Sequence, residues 1–280
     1  MTIYELGLIA QVCINVLMGL SVYTVLATGQ LNLGSAGFMA VGAYTSATAS
    51  VHGVPISVAL VLGILAASVA GLALGVPALR LKGIYLAMAT FAFGVVVQSL
   101  FLVLPWTGQA RGVIGIPQIV PAVLYSWAGV AVLLLLAVTL STFWLRVRSV
   151  HDDEFAASMA GLSTTTVKVG MFTLGGALAG LAGGLYAHWF VYIEPGAFSF
   201  NVSIFAVLYV IFGGRRSMWG AVIGATVLTL LPEFTRGLDE WRPAFIGVVL
   251  LVILVVRPSG ILGERSLLPR LTRTRKEAAA

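Results

Sequence analysis

The sequence predicts an all-α membrane protein with about nine membrane-spanning or partly spanning helices, its N-terminus outside and its C-terminus inside. Hydrophobic residues make up 59% of the 280 residues and charged residues 9%, whereas roughly a quarter of a soluble domain is charged. The mean hydropathy is +1.03. Long charge-free segments alternate with short polar loops, and most segments have roughly the 17 to 25 residues that a bilayer crossing needs.

Nine apolar segments follow one another along the chain. The first is interpreted as a retained helix, because no basic region precedes it as in a cleaved signal peptide. The seventh and eighth are short and are separated by Gly213 and Gly214. They predict either broken helices beside an aqueous cavity or two tilted helices joined by a turn. The segments cover about residues 6–27, 34–50, 55–78, 84–104, 119–145, 169–192, 198–213, 219–231 and 242–256.

Basic residues set the predicted orientation. With the N-terminus outside, every Lys and Arg except Arg111, Arg236 and Arg242 falls on the cytoplasmic side, as the positive-inside rule requires. Residues 1–264 then form the membrane domain, and residues 265–280 form a basic cytoplasmic tail that we expect to be disordered. The net charge of +6 therefore reflects cytoplasmic loops, and no nucleic-acid binding is expected.

Glycines recur at four-residue spacing in several segments, which predicts close helix packing. The pattern comprises Gly176, Gly180 and Gly184, Gly71 with Gly75, and Gly220 with Gly224.

Catalytic, metal and cofactor sites are not predicted. Cys13 is the only cysteine, which excludes an intramolecular disulfide and paired-cysteine metal motifs. His188 is interpreted as an aromatic-belt residue near the outer interface. No P-loop motif occurs, and no segment has an Asp, Glu, Lys or Arg in its interior, which disfavours ion- or proton-coupled transport. Energy for active transport would therefore come from a partner.

An acidic run predicts a short cytoplasmic helix at about residues 149–162. Ser149 stands three residues before Asp152 in a capping-box-like spacing, and Asp152, Asp153 and Glu154 would occupy the first turn, where they favour the helix dipole. Gly161 is a plausible helix end.

One face of this predicted helix is apolar. Phe155, Met159 and Leu162 recur at i, i+4 and i+7 and form a narrow stripe. Such a helix in a polar loop favours docking into a groove on a soluble partner. A solvated loop helix remains an alternative. A helix lying on the bilayer is disfavoured, because anionic lipids would repel the neighbouring acids.

Polar residues interrupt the apolar pattern between the first two segments. Gln30, Asn32 and Ser35 lie among glycines that include Gly34, and amides at membrane depth need hydrogen-bond partners. The pattern predicts a helix break that lines a translocation path. The alternative is a cytoplasmic turn in which Asn32 or Ser35 caps the next helix.

Three stretches carry a resemblance to a known family. Residues 29–34 read Gly-Gln-Leu-Asn-Leu-Gly and run on to Val-Gly-Ala-Tyr at 41–44; residues 78–87 carry Arg-Leu-Lys-Gly-Ile-Tyr-Leu-Ala; residues 257–263 read Arg-Pro-Ser-Gly-Ile-Leu-Gly. They resemble, in order, motifs of the permease subunits of bacterial ABC importers for branched-chain amino acids. Within that family the chain resembles the larger of the two paired subunits.

This resemblance extends to the acidic segment, which aligns from Ser149 to Gly161 with the coupling helix that seats on the ATPase. Two positions depart from the family: His151 stands where Arg is usual, and Ser158 where Glu is usual. The resemblance implies ATPase contact through Asp152, Asp153, Glu154, Phe155, Ala156, Ala157, Met159 and Gly161.

The family also implies a set of partners and a place in the cell. We expect a translocation subunit in the bacterial inner membrane, paired with a second homologous permease subunit, two ATP-binding subunits and an extracytoplasmic solute-binding protein. Branched-chain amino acids are the implied solute. Urea or another small solute is the alternative within the family, since the outer loop at 107–116 lacks a usual second glycine.

Two other classes of function are weighed against this one. An autonomous channel or secondary transporter would work without an ATPase, so co-purification of an ATPase would separate it from an importer subunit. An intramembrane enzyme ranks last, because no nucleophile, base and orienting group can be assembled at membrane depth.

Overall fold

A computed structural model describes residues 3–78, 80–81, 83–234, 247–248, 251, 255 and 260–262. Within these residues the chain is all-α except for one pair of two-residue strands, β1 (Val113–Ile114) and β2 (Tyr192–Ile193). The helices are α1 (Ile3–Leu26), α2 (Ser35–Val51), α3 (Ile56–Ala78), α4 (Ile84–Val103), α5 (Pro121–Leu140), α6 (Thr142–Asp152), α7 (Glu154–Met159), α8 (Thr164–Phe190), α9 (Phe200–Gly213) and α10 (Met218–Phe234).

The first eight predicted segments each correspond to a helix. Six helical stretches among the described residues are long and apolar enough to cross a membrane; they include α1, α3, α4, α5, α8 and a stretch from Pro195 to Gly213. The helices α2 and α10 have 17 residues each and are shorter than these. Most of the ninth segment, the tail at 265–280, Arg236 and Arg242 lie outside the described residues.

One apolar segment was wrongly predicted to be a single helix. The segment 119–145 is not one helix, because Ser141 is extended (φ −78°, ψ 160°) and separates α5 from α6. Its hydroxyl donates a hydrogen bond to the carbonyl of Val138 at 2.7 Å, which satisfies an end carbonyl of α5. The helix α8 begins at Thr164, before the charge-free segment that opens at 169, and so contains Lys168.

The helices α1 and α8 form the centre of the molecule. In each of them 67% of the most apolar window is buried, against 22 to 28% in α3, α4 and α5. The long helix α8 packs against α1, α2 and α3. The outer faces of the peripheral helices carry exposed apolar side chains such as Leu65, Val96 and Leu134, as expected of surfaces that face lipid or another membrane subunit.

Small residues let these helices approach closely, as the glycine spacing predicts. A Cβ at Gly176 would lie 2.8 Å from the carbonyl oxygen of Ala67 in α3. On the adjacent face of α8, a Cβ at Gly183 would overlap the carbonyl oxygen of Met39 in α2. Backbone contact of this kind between α8 and two neighbours leaves no room for larger side chains.

Candidate functional site

The helix α6 is amphipathic and leads into the acidic segment. Trp144, Val147 and Val150 are buried at three-residue spacing along α6, while the other face is exposed. This stripe keeps the chain helical through Ser149, whose hydroxyl donates to the carbonyl of Leu145 at 2.9 Å. Ser149 is therefore an interior residue of α6 and not a helix cap.

The acidic segment forms two helices, and the single helix predicted at 149–162 was wrong. Asp152 is the last residue of α6, and Asp153 is extended (φ −153°, ψ 103°) and caps α7. The Asp153 carboxylate accepts a hydrogen bond from the amide of Ala156 at 3.0 Å, which is the usual role of an N-cap aspartate. Of the three acids, only Glu154 lies in a helical first turn.

Gly161 ends α7 in a left-handed conformation, with φ +81°. The amide of Leu162 donates to the carbonyl of Ala157 at 3.1 Å, and the amide of Gly161 donates to that of Ser158 at 3.0 Å. These two bonds define a Schellman motif, in which a residue with a Cβ would be strained. The geometry fixes both ends of a helix of only six residues.

The two faces of α7 differ sharply. Phe155 is 70% exposed and Met159 is 71% exposed, so no described residue covers these two side chains. Leu162, the third member of the predicted stripe, is instead partly buried and packs against the core. Ala156 is also exposed, whereas Ala157 is buried, and α7 contacts α8. The helix is thus held to the permease by one face and presents two large apolar side chains on the other.

An ion pair fastens α7 to α8. The Oε1 atom of Glu154 lies 2.6 Å from the Nζ atom of Lys168, and the lysine side chain is only 13% exposed. Glu154 therefore pairs with a lysine of the same chain, whereas the sequence predicts that this glutamate contacts the ATPase.

The segment between α1 and α2 is a buried helix break. The Asn32 side-chain oxygen accepts a hydrogen bond from the amide of Gly34 at 2.8 Å, and the amide of Leu33 donates to the Thr90 hydroxyl in α4 at 3.0 Å. A Cβ at Gly34 would lie 2.5 Å from the Thr90 carbonyl oxygen. The extended backbone is thus paired with the protein as membrane depth requires.

Polar atoms in this break lack partners. The Asn32 Nδ2 and Ser35 Oγ atoms are fully buried without a hydrogen-bond partner in the described structure. Gln30 is buried, and its Oε1 accepts from the Thr28 hydroxyl at 3.3 Å. The N-cap of α2 is Gly34, with no side-chain capping bond, so neither Asn32 nor Ser35 caps that helix. Two buried polar groups remain that could meet a solute or water.

Gly213 and Gly214 mark a second break. The helix α9 ends at Gly213, and Gly214 turns the chain at φ +123°. A Cβ at Gly213 would overlap the carbonyl oxygen of Gly220, and the amide of Leu262 donates to the Gly213 carbonyl at 2.9 Å. These contacts give the two glycines a packing role at the turn between α9 and α10.

His188 connects separate parts of the structure, a role that the sequence does not predict. It is fully buried and not an interfacial belt residue. Its Nδ1 lies 2.9 Å from the Pro117 carbonyl oxygen, and its Nε2 lies 2.9 Å from the Ser46 hydroxyl. Because a carbonyl only accepts, Nδ1 carries the proton and Nε2 accepts from the serine. The ring joins α2, α8 and the loop before α5.

Among the described residues, no group of three His, Cys, Asp or Glu side chains could hold a metal ion. The arrangement instead consists of an exposed apolar helix on one side and a buried, partly unpaired polar break inside the bundle.

Comparison with known proteins identifies the family of this chain. No solved structure matches the chain significantly. The chain is 32% identical to the high-affinity branched-chain amino acid transport system permease protein LivM of Salmonella typhimurium, over 89% of this chain and 66% of that protein. It is 31% identical to LivM of Escherichia coli over 93% of this chain and 68% of that protein. The chain thus spans about two thirds of the length of these relatives.

A shorter match points to the second permease type. LivH of Escherichia coli is 29% identical over 48% of this chain and 46% of that protein. The family model described as branched-chain amino acid transport system / permease component matches residues 5–256. The chain is therefore a multi-pass inner-membrane protein that belongs to the family of permease components of branched-chain amino acid transport systems.

Proposed function

We propose that this chain is the translocation subunit of an ABC importer, and that α7 is the helix through which an ATPase drives it. One observation carries the proposal: Phe155 and Met159 are 70% and 71% exposed on a six-residue helix that is held to the bundle by the buried Ala157. Large apolar anchors that insert into a partner's pocket supply most of the binding energy of many interfaces. The groove of a soluble subunit would cover both side chains.

The attachment of α7 supports transmission of movement. Ala157 is buried at the base of α7, and Glu154 is paired with Lys168 in the second turn of α8. The helix α8 in turn contacts α1, α2 and α3 along its length. A displacement of α7 by closing ATPases would therefore move the central helix as a rigid element, which is the kind of motion that alternating access uses.

The buried break between α1 and α2 is the proposed polar part of the path. A buried donor without a partner costs about 1 to 3 kcal/mol, so Asn32 Nδ2 and Ser35 Oγ are costly unless a solute or water occupies the space beside them. Gln30 belongs to the same segment. The helix turn at Gly213 and Gly214 is proposed only as a hinge, because its contacts are with backbone.

The partners and the solute follow from family membership. The relatives LivM and LivH are permease proteins of one high-affinity branched-chain amino acid transport system. We therefore infer a heterodimer with a second homologous permease, two ATP-binding subunits and an extracytoplasmic solute-binding protein. Branched-chain amino acids are the proposed solute, and a ligand screen on the binding protein would separate them from urea or other small solutes.

The experiment is removal of the two anchors. Phe155→Ala with Met159→Ala should release the ATPase subunits when the tagged permease is purified in mild detergent, and should abolish uptake of radiolabelled leucine. Truncation of one buried anchor commonly costs about 2 kcal/mol or more. Ser158→Ala is the matched control, because the Ser158 hydroxyl bonds only the Phe155 carbonyl of its own helix.

Retention of ATPases and uptake by the double variant would contradict the proposal. In that case α7 is a solvated loop helix, and the autonomous channel or secondary transporter becomes the better interpretation.

A further inference from the structure

A cavity lined by cationic side chains lies beside α6, the helix that leads into α7. It measures about 130 Å³ and is bounded by the end of α1, by α6 and by the turn between α9 and α10. Its polar and aromatic lining consists of three arginines, one aspartate, one histidine, one tyrosine and one tryptophan: Arg148, Arg215, Arg216, Asp152, His151, Tyr23 and Trp144. Of these residues only Asp152 belongs to the segment expected to contact the ATPase, and none is one of the two apolar anchors or part of the buried break.

The charged side chains that line this cavity are mostly cationic. No ion pair joins Arg148, Arg215 or Asp152 to another described residue. Guanidinium groups bind phosphate oxygens through planar, bidentate hydrogen bonds. The rings of Tyr23 and Trp144 stack at a centroid distance of 5.8 Å and form an apolar wall beside the charges. The cavity therefore favours an anion with a phosphate group.

A groove continues from this cavity along apolar surface. A second cavity of about 450 Å³ shares Tyr23, Trp144, Arg148 and Arg216 with the first. It runs past the end of α5 and the start of α10, where Leu140, Leu145 and Trp219 are exposed. A free phosphate would leave the exposed apolar side chains of this groove uncovered, whereas an acyl chain would cover them.

We propose that this site binds an anionic phospholipid of the inner leaflet, with its phosphodiester among the arginines and an acyl chain along the groove. Basic pockets between membrane helices on the cytoplasmic side bind anionic headgroups in this way. A lipid seated here touches both α6 and the turn between α9 and α10. It would hold α6, and with it α7, against the bundle. Anionic lipid would therefore strengthen the transmission of movement from the ATPases to the central helices.

The test measures binding on the full chain and needs no ATPase. The chain is placed in phosphatidylcholine vesicles that contain either brominated phosphatidylglycerol or, at the same mole fraction, brominated phosphatidylcholine. Bromine quenches nearby tryptophan fluorescence, so we expect stronger quenching by the anionic lipid. The excess should fall in Trp219→Phe, because Trp219 lines the groove.

Arginine variants identify the site. Arg148→Gln and Arg215→Gln should each weaken the preference for phosphatidylglycerol by about fivefold, since each basic residue near an anionic surface contributes about 1 kcal/mol. The matched control is Arg146→Gln, an exposed arginine of the same helix that lines neither cavity. Arg148→Lys keeps the charge but not the bidentate bonds, so it should lose less of the preference than Arg148→Gln.

Three outcomes would overturn the proposal. They are equal quenching by the two brominated lipids, an undiminished preference in the variant that combines Arg148→Gln with Arg215→Gln, and loss of the preference on addition of inorganic phosphate but not of sodium chloride at the same ionic strength. The last would assign the cavity to a free anion.

Discussion

The carboxylate of Glu154 and the ammonium of Lys168 lie 2.6 Å apart, and they connect a six-residue helix to one of the two most buried long helices among the described residues. Glu154 is the first residue of α7, and Lys168 is the fifth residue of α8. The lysine is mostly buried, whereas the glutamate is 44% exposed. The pair is therefore placed to transmit a movement of α7 without adding much to the stability of the fold.

Lys168→Met should lower uptake by up to about fivefold while the ATPases remain bound. A partly exposed ion pair contributes about 1 kcal/mol at most, and neither Phe155 nor Met159 is altered. Uptake and ATP hydrolysis are measured together in vesicles, with hydrolysis expected to persist. The swapped variant with Glu154→Lys and Lys168→Glu should restore much of the uptake. If Lys168→Met transports at the wild-type rate, the ion pair does not transmit the movement of α7 to α8.

Helix positions were predicted well because a bilayer imposes long apolar runs, but cap positions were not. A capping-box-like spacing occurs at Ser149, and the alternative start at Asp153 has an equally plausible cap residue. The choice was made by tertiary packing, since burial of Trp144, Val147 and Val150 along one stripe keeps α6 helical past Ser149. Local sequence signals do not contain that information.

Distant contacts explain the other differences between prediction and structure. His188 contacts residues 71 and 142 positions away in the chain, so no local pattern distinguishes it from an interfacial histidine. Similarly, the pairing of Glu154 with Lys168 depends on a turn at Gly161 that brings α7 back against α8. The buried break at Asn32 was predicted because amides and glycines stand out against an apolar background.

Gly183→Ala should disrupt packing between α2 and α8. An added Cβ would overlap the Met39 carbonyl oxygen and lie 3.0 Å from the Ala43 amide nitrogen, and backbone cannot move aside as a flexible side chain can. We expect a lower thermal midpoint and less folded protein, measured by fluorescence-detected size exclusion after heating.

The matched control for this change is Gly170→Ala in the same helix. Nothing lies within 4 Å of a Cβ at Gly170, so the change should stabilise the protein slightly, by up to about 1 kcal/mol of helix propensity. Equal behaviour of the two variants would mean that α2 and α8 do not pack through Gly183.

The orientation with the N-terminus outside can be tested with single cysteines in a Cys13→Ser background. A cysteine at Arg111, which is exposed in the loop before β1, should react with an impermeant thiol reagent added to intact cells. A cysteine at Ser158 on α7 should react only after the membrane is opened. The reverse labelling pattern would place α7 outside and exclude its docking to an ATPase.

Ser35→Ala is the sharpest test of the proposed path. The Ser35 hydroxyl is fully buried and has no hydrogen-bond partner in the described structure. Its removal therefore breaks no bond within the protein and should leave stability unchanged or slightly higher, because an unpaired buried polar group is unfavourable. If the hydroxyl meets the solute, leucine uptake should fall by about fivefold to tenfold, as expected for one hydrogen bond of about 1 to 1.5 kcal/mol.

Asn32→Leu extends the same test to the neighbouring amide, which also has an unpaired Nδ2. Uptake should fall further, because the Asn32 oxygen additionally holds the amide of Gly34 at 2.8 Å. Asn15→Leu is the control, since the Asn15 amide donates to Thr229 at 2.9 Å away from the break and should affect stability more than uptake. Because neither substitution alters a residue of α7, both variants should still bind and activate the ATPases. Normal uptake in Ser35→Ala and Asn32→Leu would assign the break a purely structural role and place the path elsewhere in the bundle.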